Sequence, residues 1–285
     1  LYNPQFVEEE EMQSWGAILN TERFKKHILM KDAVRDVYSV IVLYAYRDEI
    51  ARGEVTRDDL VRNMTSERLQ RVEEVLIAGK PSYAGWEVDF GKEQMTQGKA
   101  WVDLIWSGDA QWAIDEASEV GLELRYIVPD EGSNVWFDGW CVPKYAVNTK
   151  AAAYFINYMC RPDVAIRNME ETGYVSANGD ISVMESQIDE SLEPIDVSYF
   201  FGEDADSVRV NPVLYPDITV IERCALEHDW GQDTEKLLAM WQNVKGSRAG
   251  LMTYIILALV LAAAVAYFLV SSQKKNRRRR PSQRR

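Results

Sequence analysis

The stretch N-V-W-F-D-G-W-C-V at 134–142 concentrates the side chains best suited to holding a ligand. Its branched and aromatic residues, with Gly and Pro nearby, predict extended backbone on which alternate side chains share a face. Trp136, Asp138 and Trp140 would then project together, with Val135, Phe137 and Cys141 opposite. A rise of about 3.3 Å per residue sets the Asp138 carboxylate roughly 7 Å from each indole. A carboxylate is a charged acceptor for an ammonium, and indole faces attract cations and cover methylenes, so the pattern suits an alkylamine. Aromatic residues also build strand cores and Asp also caps turns, so the surrounding elements must decide which use applies.

Those elements read as α/β. Residues 25–30 predict a strand, followed by a helix over 34–51 that Asp32 or its neighbour starts; Asp36 falls in its first turn, where the helix dipole favours a carboxylate. Thr56-Arg57-Asp58-Asp59 resembles an acidic capping box and predicts a long helix over 58–78 that ends at Gly79. Strands are expected at 86–90, 99–106 and 122–129, with a short helix at 93–97 and another at 110–120 capped by Asp109. Helices follow at 150–160, 162–171, 181–188, 217–224 and 233–244. The turn W-S-G-D at 106–109 lacks a Gly-rich fingerprint, and an Asp at a helix start opposes an anion, so phosphate binding is disfavoured.

Charge narrows the function further. The 285-residue chain carries a formal net charge of −13, yet its last 12 residues hold eight Lys or Arg and no acid, leaving 24 basic against 45 acidic residues in 1–273, a net of −21. Such a surface repels nucleic acid and concentrates small cations. The 3 cysteines, Cys141, Cys160 and Cys224, have no C-x-x-C spacing and the 2 histidines lie far apart, which argues against a structural zinc site and against a disulfide framework. No cofactor motif is present. No G-x-S-x-G elbow, H-E-x-x-H pair or cysteine with a persuasive histidine partner points to an enzyme.

Residues 249–272 form an uncharged apolar run long enough to cross a bilayer, since about 20 residues suffice. The basic 273–285 after it and the acidic region before it predict a cytoplasmic tail and an extracytoplasmic domain over 1 to 247. Leu1 is not a methionine and no signal peptide precedes this exported domain, so an N-terminal portion is expected to be missing.

Four ordered segments carry a family resemblance: I-L-M-K-D-A-V-R-D-V-Y at 28–38, W-S-G-D-A at 106–110, N-V-W-F-D-G-W-C-V-P at 134–143, and F-I-N-Y-M-C-R-P-D-V-A with E-T-G-Y at 155–174. Together they resemble the extracytoplasmic spermidine/putrescine-binding proteins of bacterial ABC importers. The resemblance implies a type II periplasmic-binding-protein fold of two α/β lobes with an incomplete first lobe, to which the apolar run at 249–272 adds one C-terminal transmembrane helix. It implies a second lobe over 1–137, a return segment of the first lobe over 138–182, and the rest of the second lobe over 183–246. It also implies a polyamine ligand and, as partners, a permease with its ATPase. Trp106, Trp136, Asp138 and Tyr174 match the family's aromatic and acidic ligand contacts, Asp36 matches an acidic contact at the start of its helix, and Glu227 matches a polar amide contact. The departure is Ala33, where many relatives carry a second Asp; it implies that one amine is held differently or that the preferred polyamine is shorter. A sensor of the same fold, or a binding protein for another small cation, stands as the alternative.

Overall fold

A computed structural model describes residues 1–246 together with 258, 259 and 261. The chain forms two compact units, Leu1–Leu238 and Ala239–Arg285. The apolar run at 249–272 lies outside the described residues apart from those three, as does the basic tail; among the described residues no helix is long and apolar enough to cross a membrane.

In the first unit, β1 (Ile28–Lys31), β2 (Tyr83–Glu87) and β3 (Val102–Asp103) form a parallel sheet in the order β2-β1-β3. All four residues of β1 are buried, as a central parallel strand covered on both faces requires. The crossover from β1 to β2 runs through α1 (Val34–Ala45), α2 (Arg47–Ala51), α3 (Arg57–Arg62) and α4 (Ser66–Gly79); α5 (Gly91–Thr96) joins β2 to β3. β3 leads into α6 (Ser107–Glu119), and Leu29, Met95, Ile105 and Ala113 pack together in the core between these elements. A second parallel pair, β4 (Asn134–Val135) with β5 (Ala225–Leu226), forms its own small sheet. α7 (Thr149–Met159) and α8 (Pro162–Thr172) follow β4, and α8 ends at Gly173, whose φ of 72° is the left-handed cap that glycine adopts without penalty.

Several expected elements are shorter or divided. The helix at 34–51 breaks at Tyr46, which leaves helical dihedrals while the Arg71 guanidinium lies 4.1 Å from its ring centre. The helix at 58–78 becomes α3 and α4 because Thr65 caps a fresh start, its hydroxyl accepting from the Arg68 backbone N–H at 3.2 Å. The Arg68 guanidinium meanwhile donates to the Asp59 and Asn63 carbonyls at 2.8 and 2.6 Å, satisfying carbonyls that a continuous helix would have used. Of the strand expected at 99–106 only β3 forms. Residues 122–129 form no strand; instead Arg125 and Tyr2 exchange backbone hydrogen bonds at 2.8 and 2.9 Å as an isolated bridge.

The largest correction falls on 134–142. Only Asn134 and Val135 are paired, and the Glu227 N–H donates to the Val135 carbonyl at 2.8 Å as the partner strand ends. From Trp136 onward the backbone has no ladder to hold it flat, so the two-residue alternation of side chains is lost.

Candidate functional site

The β1–α1 turn delivers Asp36 into the first helical turn, where it is 9% exposed and its Oδ1 accepts from Asn134 Nδ2 at 2.8 Å. Burial pushes its pKa above the ordinary carboxylate value, and the Asn134 hydrogen bond works against that shift. The β4–β5 pairing places Glu227 beside the same Asn134. Burial raises the Glu227 pKa as well, and the negative charges of Asp36 and Asp138 push in the same direction. The cation nearest Glu227 is Arg35, 3.9 Å away on an exposed side chain. Two carboxylates thus share one amide, with the charge of a third, Asp138, acting on Glu227 and little positive charge to balance them.

Trp106 stands at the N-cap position of α6, with its ring centre 6.1 Å from that of Trp136 and the planes at 60°. Tyr174, delivered by the turn at Gly173, lays its ring on Gly108: a Cβ at Gly108 would sit 2.7 Å from the ring, so the bare backbone there is what admits it. Burial and the nearby Asp109 carboxylate raise the pKa of the Tyr174 hydroxyl, which stays protonated. Asp36, Trp106, Trp136, Asp138 and Tyr174 all line one cavity of about 500 Å³. The arrangement offers acidic oxygens to a cation and ring faces to a slender apolar segment, the two demands of an aliphatic amine.

A profile of bacterial extracellular solute-binding proteins matches residues 1–189. The chain belongs to the bacterial extracellular solute-binding protein family. It is 24% identical over 215 residues to the putrescine-binding periplasmic protein PotF of Escherichia coli, covering 73% of this chain and 50% of that protein. It is likewise 24% identical over 246 residues to the spermidine/putrescine-binding periplasmic protein of Salmonella typhimurium, covering 86% and 60%. The chain therefore spans 50 to 60% of the length of these curated relatives. Among solved structures it resembles the spermidine/putrescine ABC transporter substrate-binding protein PotD of Streptococcus pneumoniae, with a TM-score of 0.61 at 22% identity over 86% of this chain and 64% of that one. The fold is the mixed α/β periplasmic-binding-protein fold.

In this solute-binding protein the cavity lining takes in five of the six residues singled out from the sequence. Glu227 is outside the lining and acts on it through Asn134 and Asp36. The shared face proposed for Trp136, Asp138 and Trp140 is not present. Val135 and Phe137 line the cavity alongside Trp136 and Asp138, whereas Trp140 is 65% exposed and meets Phe155 edge-on at 5.1 Å.

The sequence reading missed a second charged group. Lys31, 0% exposed at the end of β1, places its Nζ 3.1 Å from Glu87 Oε1 and 3.6 Å from Asp109 Oδ2, and donates to the Val88 carbonyl. The same ammonium lies 3.8 Å from the centre of the Trp106 ring. Lys92 approaches Asp109 at 3.6 Å from the other side, and the neighbouring Asp103 is buried with neither carboxylate oxygen hydrogen-bonded. Burial, reinforced by Glu87, raises the pKa of Asp103 well above the ordinary value and favours its neutral acid. The available signal was a lysine closing the apolar run I-L-M, a place where a charge must be paired if it is buried. Asn134 was also passed over, as the flank of an aromatic stretch. Among the described residues no cluster of three or more His, Cys, Asp or Glu is arranged to hold a metal ion.

Proposed function

We propose that this chain is the ligand-capturing part of a polyamine-binding protein that delivers putrescine or spermidine to an ABC permease and its ATPase. The observation that carries this reading is the shared cavity: Asp36 and Asp138 border the same space as Trp106, Trp136 and Tyr174. An ammonium leaves water only where carboxylates replace its lost hydration, so the acidic side holds the charged end. The rings then cover the methylenes, and a cation contact with an indole adds about 0.5 to 2 kcal/mol. The printed names of the relatives, putrescine-binding and spermidine/putrescine-binding, support the same ligand class.

In this proposal the fold is of type II, with 1–137 and 183–246 in the second lobe and 138–182 in the first, so that a ligand held between lobes favours the closed state and the permease reads that closure. Residues 249–272 tether the protein to the membrane, with the binding domain extracytoplasmic and the basic tail cytoplasmic.

The test is isothermal titration of the complete gene product with putrescine, spermidine and a set of amino acids. The expected result is saturable heat with a polyamine at micromolar concentration and none with the amino acids. Silence toward every polyamine, or an unchanged affinity in both Asp36→Asn and Asp138→Asn, would reject the reading.

A further inference from the structure

We propose that Lys31 is a built-in cation that sets the charge selectivity of the cavity: by occupying one face of Trp106 it makes that ring a wall for methylenes and leaves the guest's ammonium to the Asp36–Asp138 side. This rests on the polyamine reading above and names what decides among amines at that site.

Three observations carry it. Trp106 lines the cavity, and Lys31, completely buried, does not, so the ammonium 3.8 Å from the ring centre sits on the side away from the guest. The attraction between a cation and an indole comes from the ring quadrupole, and a second cation on the opposite face would repel the first across the ring. Lys31 is also held in place: Glu87 at 3.1 Å, Asp109 at 3.6 Å and the Val88 carbonyl fix it from behind, and Lys92 shares Asp109, so the cluster supplies its own positive charge. On the other side of the cavity the pairing is thinner: Arg35 lies 3.9 Å from Glu227 on an exposed side chain, and Lys31 acts on Asp36 through its field without a salt bridge to it. A guest is therefore drawn with its charge toward Asp36 and its carbon chain over Trp106. Ammonium groups beyond the first gain less here than they would at a bare indole backed by acids.

The structure thus assigns Lys31 as a positioning and specificity residue, and the readout that isolates this role is a ratio of affinities. The complete protein is titrated with 1-aminobutane and 1,4-diaminobutane, which share four carbons and differ by one ammonium, in wild type and in Lys31→Met. Removing Lys31 frees the far face of Trp106 and leaves Glu87 and Asp109 opposed by Lys92 alone. The ratio is expected to move toward the diamine by about tenfold, the scale of one cation–indole contact. A purely structural role for Lys31 would weaken both amines together, and an unchanged ratio or a move toward the monoamine would overturn the proposal.

Trp106→Leu tests the same point should Lys31→Met not fold. If Trp106 covers methylenes, both amines weaken alike and the ratio holds within about twofold; if the ring receives the second ammonium, the diamine loses about tenfold more and the proposal fails. Absence of binding by either amine to wild type would instead remove the polyamine reading on which the proposal stands. Binding with the wrong ratio would overturn the role of Lys31 alone.

Discussion

Two acidic clusters meet near Trp106, and they differ in where their positive charge comes from. Glu87 and Asp109 lie behind the ring with Lys31 and Lys92 set among them, and the central pair, Lys31 and Glu87, is 0% and 1% exposed. Asp36 and Glu227 meet at the Asn134 amide with the Asp138 charge acting on Glu227, and the ion pair there among the described residues is the long one between the exposed Arg35 and Glu227 at 3.9 Å. The same residue types thus serve two ends. Where the chain provides the counter-ion, carboxylates stitch β1, β2 and α6 together. Where it does not, they hold a deficit that an external cation can fill.

The sharpest way to break this contrast is Lys31→Met read as stability. Removing one partner of a buried pair strands the other charge, so urea unfolding should show a loss of about 3 to 5 kcal/mol. Asp36→Asn should cost little or nothing in the absence of ligand, because it relieves a buried charge that makes no salt bridge among the described residues and whose pKa burial raises. Equal losses in the two variants would erase the distinction.

Asp36→Asn should instead be costly for binding. Losing a charged acceptor worth about 1.5 to 3 kcal/mol weakens putrescine by roughly 10- to 150-fold in titration calorimetry. Its pH dependence has a definite sign. Burial raises the Asp36 pKa in the folded state, so the folded form binds the proton more tightly than the unfolded chain does. The contribution of Asp36 to stability therefore grows as pH falls from above the raised value toward the ordinary carboxylate value, and affinity for a cation declines across the same window. Both slopes should flatten in Asp36→Asn relative to wild type, measured by unfolding and by titration at matched pH. Parallel curves for the two proteins would place the titrating group elsewhere.

Gly108→Ala probes the ring side of the cavity. The new methyl would lie 2.7 Å from the Tyr174 ring, which must move or strain the start of α6. Overpacking of this kind costs about 1 to 3 kcal/mol, and putrescine binding should weaken about tenfold as Tyr174 shifts. Unchanged affinity would remove Tyr174 from the set of contacts.

The smallest effect is expected from Arg35→Ala. Its ion pair with Glu227 is long and half exposed, a type of pair worth about 0 to 1 kcal/mol. Stability should barely change and a diamine should bind up to about fivefold tighter, because Glu227 loses its ion-pair partner. Weaker binding would mean that Arg35 supports the site rather than competing with the guest.

Much of this was legible from residue order. The parallel α/β arrangement follows from apolar strands alternating with capped helices; Trp136 and Asp138 stood out by residue type and spacing, whereas Asp36, Trp106 and Tyr174 were nameable through the segments that resemble the polyamine-binding family. Trp140 was misplaced because alternation along a strand holds only while a neighbouring strand supplies hydrogen bonds, and the pairing with β5 stops at Val135 and Leu226. Nothing local in 134–142 announces where a partner 91 residues away will end. The break between α3 and α4 was missed for a related reason: Arg68 reaches back to two carbonyls, a tertiary-scale substitute for helical hydrogen bonds that periodicity does not register.

The amino-acid sequence alone determined the charge character of the protein, the α/β order and the closeness of Trp136 to Asp138, because these depend on residue type and short-range spacing, while Asp36, Trp106 and Tyr174 were reached through the family resemblance. Tertiary structure decided which acids remain without an internal cation. Lys31, Glu87 and Asp109 lie far apart along the chain and meet only because β1, β2 and α6 pack side by side, and a buried charge is either satisfied or left wanting according to what arrives within a few ångströms of it.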